Sequence, residues 1–431
     1  MSGDRIEELG IVGAGGGGFP AAVKFRAQVA TVIVNAAECE PLLHKDKELL
    51  LNEPDALFAG LRAAMDRTNA SAGIVGIKEK YSEVIAALER RLPAGVRIFP
   101  LKDVYPAGDE FVLVHDVTGR VIPPGGLPKD AGVAVANVET LVNIGLDRPV
   151  THKYLTVAGA VAEPVTLRVP VGVSFGEVIA AAGGATVPDF GVLVGGVMMG
   201  RLAKSLADPV TKTTGGLIVL PADHSLVRRH SASWPQMRRR ARSACDQCRM
   251  CSDLCPRRLL GHPIEPHRAM RALGFAGAQE KPAAPTLYCS ECNLCSVYSC
   301  PEQLDPKGVC AALKPTAREL GMQFKGDASK LAPHPLAAWR RTPTHRLMRR
   351  LDLLGFRNTG PLEDRPLAPR VVVLPLKQHA GAPAVPVVNP GERVRAGDLV
   401  AAPAEGALGA RIHASIDGVV RAVEGAIRIE A

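Results

Sequence analysis

Cys245-Asp-Gln-Cys248-Arg-Met-Cys251-Ser-Asp-Leu-Cys255-Pro256 and Cys289-Ser-Glu-Cys292-Asn-Leu-Cys295-Ser-Val-Tyr-Ser-Cys300-Pro301 hold eight of the ten cysteines of the chain. Three thiolates spaced by two residues can wrap one corner of a metal cluster, and a fourth, followed by proline, comes from further along. Two such runs ask for two iron–sulfur clusters. A disulfide framework and a pair of zinc sites are the alternatives. Disulfides are disfavoured, because only Cys39 and Cys310 lie outside the runs and the start MSGDRIEELG is acidic where a secretory signal would be basic and then apolar. Zinc stays open, since Cys-x2-Cys pairs can supply four ligands per site. The third cysteine at the same spacing in both runs, with Cys-Pro closing each, points to iron–sulfur.

In two-cluster ferredoxins the fourth cysteine of each run ligates the other cluster. The same crossing assigns Cys245, Cys248, Cys251 and Cys300 to one 4Fe-4S cluster, and Cys289, Cys292, Cys295 and Cys255 to the second. One extra residue before Cys300 separates the second run from the ferredoxin spacing. His224, His230, His262 and His267 flank the runs, but eight cysteines already satisfy two cubanes, so surface or supporting roles are expected for them. Cys310 is expected to be a spare thiol.

At 431 residues the chain should form several domains, since one core seldom extends beyond ~250–300 residues. No apolar run is long enough to span a bilayer, and an intracellular protein is expected. The formal charge of +9 is concentrated. Between Arg228 and Arg271 there are eleven arginines, no lysines and three acids, so this stretch alone carries +8. Neutralising net-negative clusters and attracting an acidic redox partner explain it without nucleic acid.

Near the start, Gly13-Ala14-Gly15-Gly16-Gly17-Gly18-Phe19-Pro20 precedes a predicted helix over about 20–28. Glycines there let the backbone approach a phosphate or a flat ring. The letters satisfy G-x-G-x-x-G, with Thr31 to Asn35 as the next strand and Glu38 twenty residues past the last glycine, which allows a Rossmann site or a flexible turn. Asn35-Ala-Ala-Glu38-Cys39-Glu40-Pro41, Tyr105-Pro-Ala-Gly108-Asp109-Glu110 and Asn137-Val-Glu139-Thr140-Leu141 follow in that order.

Together these segments resemble the flavin- and NADH-binding subunit of respiratory complex I (NuoF) and its relative RnfC, which are not true Rossmann folds. The resemblance implies one pocket with FMN at the bottom and NADH stacked above it. Carried over position by position, Gly13, Gly15, Gly16, Gly18, Phe19 and Lys24 would contact NADH and flavin. Asn35, Glu38, Tyr105, Gly108, Asp109, Glu110, Asn137 and Thr140 would complete the pocket, with Glu110, Asp109 and Lys24 as catalytic candidates. Ala14 stands where complex I has arginine, which bears on dinucleotide phosphate binding, and Asp109-Glu110 replaces a pair of glutamates. A flavin upstream of two clusters is chemically apt, because it accepts a hydride's electron pair and releases single electrons.

From Tyr154 to Leu220, short strands with one helix near 175–182 suggest a small α+β unit and resemble a β-grasp (SLBB) domain, either corrinoid-binding or a spacer. Prolines punctuate 331–370, where a basic, partly amphipathic helix around Arg346 is expected to pack on the body of the protein. Residues 371–431 read as short strands resembling a barrel-sandwich hybrid module. The turn Ser415-Ile-Asp-Gly418 lacks the lysine that would carry a lipoyl group.

The expected fold is thus α/β multidomain: a complex I-type flavin/NADH α/β domain (1–150), a β-grasp domain (151–222), a two-cluster ferredoxin-like helical domain (223–330), a linker with a basic helix (331–370) and an all-β barrel-sandwich hybrid (371–431). This order resembles the PduS-type cobalamin reductase family of bacterial microcompartments. That implies an NADH-dependent flavoprotein passing electrons from FMN through two 4Fe-4S clusters to a corrinoid. The alternatives are a flavodoxin or ferredoxin acceptor and a non-catalytic electron-conducting subunit. A shell protein or cobalamin-related enzyme is the implied partner, and the cytoplasm or a microcompartment lumen the implied location.

Overall fold

The computed structural model describes residues 3–273 and 286–431. Residues 1–2 of the predicted flavin unit and 274–285 of the predicted cluster unit lie outside the described residues.

Thr31–Ala36 is the centre of a four-stranded parallel sheet, flanked on one side by Ala72–Lys78 and then Val96–Leu101, and on the other by Val133–Asn137. Parallel strands buried on both faces read as continuous apolar runs, and Val32, Ile33 and Val34 are fully buried. Val32 and Val34 pack with helices Pro54–Thr68 and Val138–Gly145, while Ile33 packs with Leu113 and Val114 of helix Glu110–Thr118. The chain runs outward through three strands and then returns to the opposite side of the first. The carboxyl ends of Thr31–Ala36 and Val133–Asn137 therefore form a topological switch point, where open α/β sheets bind ligands.

Of the two readings its letters allow, the glycine loop is not the Rossmann crossover, in keeping with the non-Rossmann fold that the family resemblance implies. It joins no strand of this sheet. Instead Val12 bridges to Pro20, and the Gly13 N–H donates to the Phe19 carbonyl at 2.8 Å, closing the loop on itself. The following helix is only Ala21–Lys24, shorter than predicted, because fully buried Phe25 turns the chain into the core.

His152–Gly159, Val165–Pro170, Gly216–Pro221, Phe190–Val194 and Arg201–Leu202 build a mixed sheet crossed by helix Phe175–Ala181. Ser174 caps that helix and Glu177 returns the bond to Ser174, a capping box visible in the sequence. The last unit pairs a four-stranded antiparallel sheet with a three-stranded one around Val372, Leu374, Val400, Ile412, Ile427 and Ile429.

Residues 331–370 bind the other units together. Thr342–Pro343 pairs with Val104–Tyr105 of the first unit, and Leu362–Glu363 extends the mixed sheet beside Val165–Pro170. Leu347 and Met348, on helix Thr344–Arg350, are buried with Tyr105, Ile218 and Leu294. Among the described residues no helix is long and apolar enough to cross a membrane.

In the cysteine segment the extra residue before Cys300 has a visible home. Cys295–Ser299 forms a π-helical turn, whose wider i→i+5 repeat absorbs one more residue than an α-turn. The corresponding part of the first run is the α-helical turn Met250–Asp253. Ser299 Oγ also donates to the Leu294 carbonyl at 3.2 Å.

Candidate functional site

A cavity of about 540 Å³ opens at the switch point. Its walls include Gly13 through Phe19, Lys24, Asn35, Glu38, Gly108, Asp109, Glu110 and Asn137. Tyr105 and Thr140 stand behind the wall rather than in it. The Tyr105 hydroxyl donates to the Cys292 carbonyl at 2.7 Å, and Thr140 Oγ1 accepts the Ala14 N–H at 2.9 Å.

The loop has one packed side and one open side. A Cβ on Gly15 would lie 3.2 Å from Asn137 Cβ, whereas Gly17 has nothing within 4 Å of that position. Gly17→Ala is therefore expected to leave stability within about 0.5 kcal/mol while weakening flavin or NADH binding several-fold. Gly18→Ala, at φ +64° with Thr213 Cγ2 3.0 Å away, is expected to cost about 1–2 kcal/mol. Thermal melts and flavin titration separate the two effects.

Beneath the loop lies a buried charge network. Glu139 is fully buried and pairs with Lys45 at 2.9 Å and with Lys153. Burial alone would raise its carboxyl, but the Lys153 and Lys45 ammonium groups hold it below its ordinary value. Lys153 also donates to the Ala14 carbonyl at 3.3 Å, tying the glycine loop to the charge. Asn137 caps helix Val138–Gly145 through its Oδ1 and donates from Nδ2 to Asp46 at 2.7 Å. Glu38 accepts the Asp46 N–H at 2.8 Å, and burial with the neighbouring Asp46 charge pushes its carboxyl up to about 8.

The three catalytic candidates divide. Lys24 Nζ reaches Glu110 Oε1 at 3.2 Å and the Val135 carbonyl at 2.8 Å, leaving both side chains at the cavity. Asp109 is already committed: it accepts the Phe111 N–H at 2.9 Å as a helix cap, and pairs with Arg257 at 3.0 Å. It caps the helix and ties two units together while still lining the cavity. Arg257 also stacks 3.6 Å from the Phe111 ring centroid and lines the cavity.

Several lining groups were not among the residues predicted for this pocket, although Cys292 was predicted as a cluster ligand. Arg257, Ser290 and Cys292 arrive from the cysteine segment; Gly195, Met199, Thr213 and Gly215 arrive from the β-grasp unit. Glu40 clips that unit in place by accepting the Met198 and Met199 N–H groups at 2.9 and 2.8 Å. Nothing local in these segments signals a ligand; only the fold brings them to the rim. Cys39 lines the cavity as a buried thiol pushed up to about 12, with desolvation the main cause.

The eight cysteines gather in two sets. Cys245, Cys248, Cys251 and Cys300 surround one small cavity with His267. Cys255 lies within electrostatic range of Cys289, and both act on Cys292 and Cys295. Each run repeats the same backbone: Gln247 and Arg249, then Glu291 and Asn293, all take positive φ at matching positions. Such turns aim N–H groups into an anion-binding hollow, and Glu291 N–H and Leu304 N–H reach Cys289 Sγ at 3.3 Å and Cys300 Sγ at 3.4 Å. Among the described residues no three of these thiols stand as ligands of a single metal ion. A cubane takes its thiolates further apart than one zinc, with each sulfur at about 2.3 Å, can. Cys251 and Cys255 are buried, and desolvation pushes their thiols up to about 12, so a bound metal's positive charge would be needed to hold them as thiolates. Cys310, also buried, hydrogen-bonds Cys289.

Three of the four flanking histidines have hydrogen-bond partners of their own, while His230 Nε2 is buried without one among the described residues. His262 Nε2 contacts the Ile122 carbonyl at 2.8 Å, His267 Nδ1 contacts Ser252 Oγ at 2.8 Å, and His224 caps Leu226. Ser415 Oγ is buried and donates to the Val171 carbonyl, so the barrel turn is docked on the β-grasp unit.

Comparison with known proteins follows the same divisions. Residues 6–146 match the Nuo51 FMN-binding domain, 154–202 the SLBB domain, 244–305 the 4Fe-4S dicluster domain and 357–430 the RnfC barrel sandwich hybrid domain. The chain is 46% identical over 422 residues to cobalamin reductase PduS of Citrobacter freundii, covering 97% of this chain and 93% of that protein. It is 46% identical over 425 residues to the Salmonella typhimurium protein of the same name, covering 97% and 94%. A component of the Na(+)-translocating ferredoxin:NAD(+) oxidoreductase complex of Acetobacterium woodii is 32% identical over 271 residues, 59% of this chain and 58% of that one. The NAD+-reducing NiFe hydrogenase in its H2-reduced state shares the fold at a TM-score of 0.50 and 22% identity, covering 75% of this chain and 66% of that one.

Proposed function

The chain belongs to the PduS cobalamin reductase family, and we propose from that premise that it oxidises NADH and reduces a corrinoid. FMN in the glycine-loop cavity would supply the conversion of a two-electron hydride into single electrons, which 4Fe-4S clusters carry one at a time. NADH loses a hydride and becomes NAD+; its two electrons reduce two cob(III)alamin to cob(II)alamin, or one cob(III)alamin to cob(I)alamin.

The single observation that carries this reading is Cys292 in the wall of the flavin-type cavity. It supports an order in which the Cys255, Cys289, Cys292 and Cys295 set would receive electrons first and the Cys245, Cys248, Cys251 and Cys300 set would pass them on. Gly15 to Gly17 would face the flavin and nucleotide, Lys24 and Glu110 would fix the reacting rings, and buried Glu139 would hold the loop through Lys153. The division at 150, 222, 330 and 370 belongs to the same proposal. So does residence in a microcompartment lumen beside a shell protein or corrinoid-dependent enzyme, which rests on the family resemblance.

Anaerobic purification tests the reading. About eight iron atoms per chain are expected, with bound FMN, NADH oxidation and corrinoid reduction followed by visible spectra. A flavin-free protein unable to oxidise NADH would sink it, and reduction of flavodoxin but not cobalamin would replace the acceptor.

A further inference from the structure

Beside the Cys245, Cys248, Cys251 and Cys300 set lies a cavity of about 370 Å³ that no cysteine lines. Arg228 and Arg229 come to it from helix Ser225–His230, Arg240 from helix Trp234–Ala244 and Arg350 from the end of helix Thr344–Arg350. Three segments of chain thus bring four guanidinium groups to one hollow. Its acidic lining residue, Asp305, accepts from the Gly308 N–H at 2.9 Å and from Ser296 Oγ at 2.6 Å.

Elsewhere the arginines of the core find carboxylates: Arg257 with Asp109, Arg258 and Arg340 with Asp253, Arg341 with Asp116. Among the described residues Arg228, Arg240 and Arg350 have no carboxylate within ion-pair distance. Four arginines against one carboxylate, Asp305, leave this concave surface net positive, which favours an anionic ligand, and the planar guanidinium fork matches phosphate. Arg229 is accounted for by the nearby charge of Asp305 and then of Cys300 and by its bond to the Leu304 carbonyl, but the three other arginines that line the open hollow are not.

The cavity is also wired to the electron exit. Leu304 lines both hollows; its N–H reaches Cys300 Sγ at 3.4 Å, and its carbonyl accepts from Arg229 Nη1 at 3.0 Å. We propose that this arginine-lined cavity binds the phosphodiester of the corrinoid's nucleotide loop and so docks the acceptor beside the Cys245 set. The inference rests on the reading of the chain as a corrinoid reductase. A concave hollow of this volume suits a small-molecule phosphate and its sugar, whereas a protein's acidic face would need a broad, exposed patch.

The test is equilibrium dialysis of the holoprotein with cobalamin and with cobinamide, which has the same ring but lacks the nucleotide loop. In the Arg228→Gln/Arg240→Gln/Arg350→Gln variant, with iron content and visible spectrum checked, the cobalamin Kd should rise at least about tenfold and the cobinamide Kd should not move. The triple lysine variant should recover part of the loss. Unchanged cobalamin binding, equal losses for both ligands, or loss of flavodoxin binding alone would overturn the proposal. Should the wild type bind no corrinoid, the functional reading fails instead. Titration with inorganic pyrophosphate then decides the cavity: binding lost in the glutamine variant supports an anion site, and no binding by the wild type overturns it.

Discussion

Cys300→Ala is expected to abolish delivery of electrons to the corrinoid while leaving NADH-driven bleaching of the flavin intact. Cys300 stands with Cys245, Cys248 and Cys251 around one hollow, although in the sequence it closes the other run. Its loss should take iron from about eight to about four atoms per chain, with the Cys292 set still loaded. Corrinoid reduction should fall at least about a hundredfold, because one missing cluster opens a gap in a one-electron chain. Iron analysis with low-temperature EPR checks it. Loss of the Cys292 set, with the Cys245 set retained, would mean the runs do not cross. Cys292→Ala should differ in kind: it breaks the chain at the flavin cavity itself, so the remaining cluster would no longer be reduced by NADH.

The cysteine runs were legible because ligand spacing is local: a cubane's corner is wrapped within seven residues, and the repeat of positive φ at Gln247, Arg249, Glu291 and Asn293 follows from it. The extra residue before Cys300 was visible, but its π-turn was not, since only the folded backbone decides whether an insertion loops out or widens a turn. The glycine loop was legible as a close-approach segment, while its letters alone left open a strand-to-helix crossover and a turn closed on itself. G-x-G-x-x-G reports where backbone must be bare, whereas the closure of Val12 on Pro20 depends on pairing across the loop.

Asp109 was legible as a pocket residue, but the arginine that pairs with it, Arg257, lies 148 positions away, and no local pattern announces that partner. The same holds for the arginine cavity. Eleven arginines between 228 and 271 were conspicuous in the sequence, yet the hollow is completed by Arg350 from a segment expected to be a linker. Long-range convergence of charge is what a sequence of one chain leaves unstated.

Glu139→Gln is expected to be the most destabilising single substitution in the first unit. Breaking a buried ion pair from one side typically costs about 3–5 kcal/mol, because the remaining charge stays desolvated. Here two lysines would be left, Lys45 at 3% and Lys153 at 1% exposure. Lys45 keeps Asp46 at 2.9 Å, so the larger loss falls on Lys153. Burial already pushes Lys153 down to about 8, and without Glu139 it would shed its proton. The Ala14 carbonyl would then lose a charged donor, and the glycine loop its anchor.

Flavin affinity should consequently fall with stability, although Glu139 itself does not line the cavity. Glu139→Gln with Lys153→Met removes both charges and should recover at least about 1 kcal/mol relative to the sum of the single losses. Denaturant melts of all four proteins measure that coupling. The acid side gives an independent check. A carboxyl held below its ordinary value contributes fully above the unfolded pKa of about 4.5, and the contribution disappears as pH falls through the folded value. The wild type should therefore lose stability steeply below about pH 4.5, and the double variant should lose less. Parallel acid melts would show that Glu139 is not the anchor, because its charge would then have made no difference between folded and unfolded states.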